Sequence, residues 1–97
     1  MNSIICSAIR SHNVIRFYCD GGYRTAEPFC HGASRAGNDL LRAYQTGGHS
    51  ESGNPVKWKI FRVVKMSSIT ITDENFSGNR PDYYTNDSAM ATVYCCV

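Results

Sequence analysis

The chain has 97 residues and a formal net charge of +2, with 42% hydrophobic and 19% charged residues. This length fits one domain, residues 1–97, and the composition excludes a disordered chain. A charge of +2 is too small to indicate nucleic-acid binding by itself. Arginines nevertheless outnumber lysines seven to three, and arginine stacks on rings and binds phosphates with two nitrogens. A local anion site is therefore compatible with the modest net charge.

The N-terminal segment carries no targeting signal that we can identify. Its apolar run is short and follows no basic residues, and it lacks a small-residue cleavage site, so we expect no signal peptide. No stretch is long and apolar enough to span a membrane. We therefore predict a cytoplasmic protein with no membrane partner.

Five cysteines occur, and none of them forms a CxxC pair: Cys6, Cys19, Cys30, Cys95 and Cys96. On a strand, the adjacent Cys95 and Cys96 would point to opposite faces, which argues against a shared metal ion. We predict reduced thiols that pack as small hydrophobic side chains, rather than a zinc site or a disulfide framework. Oxidation of a surface Cys96 could still crosslink two copies.

The first half of the chain predicts one short helix and three strands. Ser3 is a suitable cap for the helix, whose apolar residues follow one stripe. Asp20-Gly21-Gly22 predicts a hairpin turn, because such turns need positive φ. Pro28 indicates an edge, a bend or a bulge in the second strand. The predicted bounds are a helix from Ser3 to about Ser11–Asn13 and strands over Val14–Cys19, Tyr23–Ala33 and Asp39–Gln45, with a turn over Ser34–Asn38.

The second half predicts a long surface loop, two strands and a closing segment. The loop is rich in glycine, and the segment from Ala89 to Val97 is ambiguous between helix and strand, with strand favoured. The predicted bounds are a loop over Thr46–Lys57, strands over Trp58–Met66 and Ser67–Thr72, a turn or one helical turn over Asp73–Phe76, and a loop over Gly78–Ser88. Together these elements predict a mainly β fold: a small antiparallel barrel with a short N-terminal helix.

The sequence offers no catalytic constellation. It has no GxSxG, no glycine-rich phosphate loop and no HExxH. His31 follows Cys30 and His49 lies in the predicted loop, but nothing in their spacing requires a cysteine–histidine pair. We predict no enzymatic activity, no cofactor and no metal site.

Arginine and aromatic residues recur together on the predicted strands. Alternation places Arg16 with Tyr18, and Arg42 with Tyr44. It also groups Arg62 with Trp58 among apolar residues, which suggests that Arg62 is partly buried and needs a partner. Rings that stack bases beside guanidinium groups that hold phosphates are typical of single-stranded nucleic-acid sites. The alternative is ordinary packing on the solvent face, where arginine stems lie over rings.

Three blocks of the sequence resemble the WYL domain, a bacterial module with an Sm-like, SH3-type barrel. They are VIRFY (14–18) followed by RTAEP (24–28), DLLRAYQ (39–45), and FRVVKM (61–66) leading into Ile69. Leu41, Ala43 and Tyr44 match the end of the naming segment, whereas Asp39 and Leu40 replace its Trp and Tyr. The resemblance covers roughly residues 14–76.

The resemblance implies an SH3-like barrel that senses ligands in transcription regulation, with Arg62 as the first binding residue and Arg42, Tyr44 and Lys65 behind it. No DNA-reading helix-turn-helix precedes the first strand, so we expect a stand-alone domain. The leading hypothesis is a regulatory barrel that binds single-stranded nucleic acid or a phosphorylated small molecule such as a nucleotide. The alternative is a structural or protein-interaction module, a homodimer without a small ligand. The predicted ligand-binding residues are Arg62, Arg42, Tyr44, Lys65, Arg16 and Trp58.

Overall fold

The computed structural model describes all 97 residues and contains one helix, six strands and one short 3-10 turn. The elements are α1 (Ser3–Ser11), β1 (Asn13–Cys19), β2 (Gly22–Ala33), β3 (Asp39–Gly48), β4 (Lys57–Arg62), the 3-10 turn (Val63–Lys65), β5 (Met66–Asn75) and β6 (Thr92–Cys96). The predicted mainly β class with a short N-terminal helix is confirmed. The ambiguous C-terminal segment contains a strand, as favoured. No helix has the length and apolar character needed to cross a membrane.

The strands form one antiparallel sheet in the order β4-β3-β2-β1-β5, and β6 pairs with the second half of β2. The predicted closure of the barrel is wrong, because β4 and β5 do not pair with each other. The reason lies at their junction. The 3-10 turn Val63–Lys65 ends β4 at Arg62, and the chain then turns to pair β5 with β1. The sheet therefore keeps two open edges.

Helix α1 covers one side of the sheet, here called the inner face. Asn2 caps the helix, rather than Ser3 as predicted, since its side-chain oxygen accepts a hydrogen bond from the Ile5 amide at 3.0 Å. Ile5, Ala8 and Ile9 are fully buried against the sheet, whereas Ile4 is exposed. The main core of 13 buried residues lies between α1 and the inner face, so burial of this apolar stripe holds the helix in place.

Strand β2 is the centre of the sheet and changes partner along its length. Its first half follows the predicted hairpin turn, in which Asp20 and Gly21 have φ of 47° and 98°, and pairs with β1. The register with β3 shifts between Pro28 and Cys30, which confirms the irregularity that Pro28 indicated. Beyond this bulge, β6 replaces β1 as the neighbour of β2.

Four of the five cysteines form disulfides, so the prediction of reduced thiols is wrong for them. Cys95 bonds Cys6 on α1, and Cys96 bonds Cys30 on β2. Because the adjacent cysteines point to opposite sides of β6, they take different partners, as the alternation predicts. The pairing of β6 with β2 brings these thiols together, and that long-range pairing is not visible in the spacing. Cys19 stays free and buried.

Other boundaries also differ from the prediction. Strand β3 continues to Gly48, so the loop between β3 and β4 is shorter than expected. The predicted turn over Asp73–Phe76 is wrong, since β5 continues to Asn75. The predicted loop before β6 is present. It belongs to a segment over residues 76–91, here called the crossing segment, which passes over the side of the sheet opposite α1, here called the outer face.

Candidate functional site

The outer face brings together most of the side chains that the alternation pattern grouped. Tyr44 is paired with Trp58 across β3 and β4. On the same face, Arg42 lies two residues before Tyr44 on β3, and Arg62 lies at the end of β4, beyond Ile60, which pairs with Arg42. Arg16 also lies there, because its neighbours Ile15 and Phe17 point into the main core. These five predicted residues therefore share one face of the sheet.

The crossing segment occupies the middle of this face. Arg80 binds the Glu27 carboxylate through Nε at 2.6 Å and Nη2 at 3.0 Å, and its guanidinium lies 3.9 Å from the centre of the Tyr44 ring. The hydrogen bonds to Glu27 raise the pKa of Arg80. Arg42 binds Asp87 in the same way, at 2.6 and 3.2 Å. Arg42 and Tyr44 thus already have partners within the chain.

The remaining predicted residues lie apart from this middle region. Arg62 is exposed, contrary to the expected partial burial, because β4 ends there, and its Nη2 donates to Asn38 Oδ1 at 3.1 Å. Arg16 stacks on Tyr23, with its guanidinium carbon 4.1 Å from the ring centre. Lys65 is exposed at the end of the 3-10 turn rather than on β4.

A cleft of about 420 Å³ opens beside the crossing segment. It is lined on the sheet side by Arg42 and Trp58, and on the other side mainly by residues 82–88. Trp58 Nε1 donates to the Pro81 carbonyl at 3.0 Å and fixes the indole. The Tyr83 hydroxyl is buried and has no hydrogen-bond partner. Burial, with the nearby Asp87 charge, raises the pKa of Tyr83.

The inner face carries a buried arginine without a carboxylate. Arg24 is 5% exposed, its Nε donates to the Cys19 carbonyl at 3.1 Å, and its Nη1 makes a long contact of 3.5 Å with Gln45 Oε1. No carboxylate forms an ion pair with Arg24, and its Nη2 makes no hydrogen bond within the chain. A buried charge is costly unless it is paired, and besides these contacts the guanidinium carbon lies 5.4 Å from the centre of the Phe61 ring.

Three lysines lie in the region of this guanidinium: Lys59 interacts with it, Lys57 lies near Lys59, and Lys65 lies near Cys19. Partial burial, together with repulsion from Arg24 and Lys57, holds the pKa of Lys59 below its usual value. Lys65 is close enough to act, with Arg24, on the Cys19 thiol, whose pKa is nevertheless raised, first by burial and then by the Asp20 charge. We name Arg24, Lys57, Lys59 and Lys65 the Arg24 cluster. None of the four forms an ion pair with a carboxylate.

Sequence reasoning missed Arg24 and the crossing segment. Alternation along β2 places Arg24 on the same side as the buried Ala26, and this is the signal that could have identified it. The role of the crossing segment was harder to predict, because Arg80 and Asp87 lie in a polar stretch typical of a loop. Their partners, Glu27 and Arg42, are 53 and 45 residues away in the sequence. Aromatic residues within a loop, here Tyr83 and Tyr84, are the available hint.

Cys19, the one free thiol, is not activated as a nucleophile. The raised pKa of Cys19 keeps its thiol protonated, which is the opposite of what a nucleophile needs. No group of three or more His, Cys, Asp or Glu side chains is placed to hold a metal ion. A scan of protein-family models, a search of curated proteins and a search of solved structures each find no match to this chain.

Proposed function

We propose that this protein is a non-catalytic binding module for a phosphate-bearing ligand, either a nucleotide or a short single-stranded nucleic acid. The observation that carries the proposal is the buried Arg24 guanidinium, which has no carboxylate ion pair and lies close to the Lys59 ammonium group. An isolated buried charge destabilises a fold, so its presence calls for an anion that binds it.

The Arg24 cluster offers the chemistry that a phosphate needs. Arg24 Nη2 is free to donate, and arginine presents paired N–H groups to phosphate oxygens. Lys59 Nζ is held at 2.7 Å from Ser50 Oγ, which fixes its position near the guanidinium. A bound phosphate would also relieve the repulsion that lowers the pKa of Lys59. The proposed ligand class is the one expected from the sequence. The proposed phosphate site, however, is the Arg24 cluster on the inner face, and not the residues on the outer face that the sequence predicted.

Fluorescence anisotropy of labelled single-stranded DNA and RNA, titrated with protein at low and moderate salt, tests the proposal. We expect binding that weakens with salt, because each phosphate held releases condensed cations. Lys59→Gln and Lys65→Gln should each weaken binding by about tenfold, since a hydrogen bond to a charged group contributes ~1.5 kcal/mol. Arg24→Met tests the central residue, with circular dichroism as the check that it folds.

Arg10→Gln is the matched control, because Arg10 is an exposed cation on α1, beyond the other end of β1 from Cys19. It removes the same charge and should leave affinity unchanged. Arg62→Ala tests the outer-face site predicted from the sequence. Weakening by Arg62→Ala alone would place the ligand on the outer face and overturn the Arg24 cluster as its site. Absence of binding at low salt, both for the labelled oligonucleotides and for a fluorescently labelled ATP titrated directly, would overturn the proposed function.

A further inference from the structure

The cleft beside the crossing segment presents three aromatic rings to one space. Trp58 and Tyr83 stack with their ring centres 5.8 Å apart and an angle of 17° between planes. Tyr84 lines the same cleft and is 73% exposed, an unusual degree of exposure for a large ring. Concave sites lined by rings and a few polar groups are typical of small-molecule binding.

The charges around the cleft favour a cation. Arg42, Asp82 and Asp87 line it. Arg42 donates hydrogen bonds from Nε and Nη2 to the Asp87 carboxylate, so these two charges compensate each other. Asp82 makes no ion pair, which leaves one carboxylate uncompensated. A phosphate would be repelled here, whereas a cation would meet both a carboxylate and the negative faces of aromatic rings.

We propose that this cleft binds an organic ammonium ion against the rings that line it, those of the stacked Trp58 and Tyr83 and of Tyr84, with Asp82 as its counter-charge. The cleft volume of about 420 Å³ accommodates a small ammonium compound with a short polar tail. The site uses other residues than the Arg24 cluster and takes a ligand of opposite charge. It is therefore independent of the proposed function.

Intrinsic fluorescence provides a direct assay, because Trp58 is the only tryptophan in the chain. Choline and tetramethylammonium are titrated at constant ionic strength, with 3,3-dimethylbutan-1-ol as the neutral compound of the same shape as choline. We expect a saturable change in Trp58 fluorescence with choline at millimolar concentrations. The neutral alcohol should bind about tenfold more weakly, because it lacks the attraction between a cation and a ring.

Two variants locate the site, and one serves as control. Asp82→Asn and Tyr84→Leu change exposed side chains and should each weaken choline binding about fivefold or more, as expected for loss of a counter-charge or a ring. Asp73→Asn removes an exposed carboxylate on β5, at the other edge of the sheet from β4, and should have no effect. Equal binding of choline and the alcohol, unchanged binding by Asp82→Asn, or no saturable change would each overturn the proposal. None of these outcomes bears on the anisotropy experiment.

Discussion

The ion pair between Arg42 and Asp87 joins the sheet to the crossing segment. Both side chains are largely shielded from solvent, at 27% and 11% exposure. The hydrogen bond from Arg42 holds the pKa of Asp87 below its usual range. The folded state therefore favours the charged form of Asp87. The contribution of this charge to the stability of the fold is fully present above the ordinary pKa of an aspartate, about 3.9. It is lost as the pH falls through the lower pKa of the folded state.

Replacing Asp87 by Asn should reveal this pH dependence. At pH 7 we expect Asp87→Asn to lower the free energy of unfolding by about 1 kcal/mol, the upper end for ion pairs near a surface. The difference from the wild type should shrink as the pH falls below about 4, the ordinary pKa of an aspartate, until the wild-type carboxylate is protonated too. Urea unfolding at several pH values measures it, with Asp73→Asn as the control. A difference that stays constant to the lowest pH would contradict the assignment.

Alanine substitutions at two glycines with different surroundings test how closely β6 packs against β2. A Cβ added to Gly32 would lie 2.1 Å from the Thr92 carbonyl oxygen, whereas a Cβ on Gly47 would meet nothing within 4 Å. Gly32→Ala must push β6 away from β2, and we expect it to cost about 1–3 kcal/mol in the free energy of unfolding. Gly47→Ala should change that free energy by less than about 0.5 kcal/mol. Similar urea midpoints for the two variants would show that β6 does not pack as described.

At the residue scale, the sequence predicts which face a side chain occupies better than it predicts that side chain's partner. Alternation correctly grouped Arg16, Arg42 and Trp58, because the period of a strand is a local property. It could not show that Asp87 would bind Arg42, since that contact depends on how a distant loop crosses the sheet. The expected burial of Arg62 failed because β4 ends at that residue.

At the element scale, the residues of a turn were sufficient to predict that turn, whereas the identity of the last strand depended on long-range pairing. The turn at Asp20-Gly21 formed as expected. A tight hairpin turn requires positive φ at its two central residues, and whether a residue can adopt positive φ depends only on that residue. The last strand was ambiguous, since most of its apolar residues suit a helix as well as a strand. Pairing with β2 and bonding to Cys6 and Cys30 settle it as β6.

Counting free thiols tests the covalent ties of β6. After oxidative refolding, iodoacetamide should label one cysteine in denatured, unreduced protein and all five after reduction. Native protein should resist labelling, because Cys19 is buried and burial raises its pKa. Reduction breaks both disulfides and should lower the free energy of unfolding by more than about 2–5 kcal/mol, the cost typical of losing one native disulfide from a small domain.

Mass spectrometry after labelling counts the labelled cysteines directly. Five labels without reduction would contradict the disulfides and restore the prediction of reduced thiols. In protein isolated from cells with its thiols blocked at lysis, one label would count against the cytoplasmic location predicted from the sequence, because disulfides persist mainly in oxidising compartments.

At the scale of the whole molecule, the open sheet makes its edges important. An unpaired edge strand invites pairing with a second copy, and natural proteins prevent this by placing charges there. Strand β4 has the sequence KWKIFR, with Lys57, Lys59 and Arg62 among its six residues. If two copies paired along all of β4, Lys57 would lie opposite Arg62 of the partner subunit, and like charges would repel. We infer that this edge discourages self-association.

Light scattering over micromolar to millimolar concentrations tests that inference. We expect a mass near the 10.8 kDa of one chain, independent of concentration. Replacing Lys57 and Arg62 together by Val should produce dimers or larger species, because it removes the repulsion and adds apolar surface to an open edge. The control replaces Arg10 and Arg16 by Val, which removes the same charge from α1 and from β1, with two strands between β1 and β4, and should stay monomeric. A wild-type dimer would instead favour the alternative prediction of a homodimeric interaction module, with the open edge rather than the Arg24 cluster as its working surface.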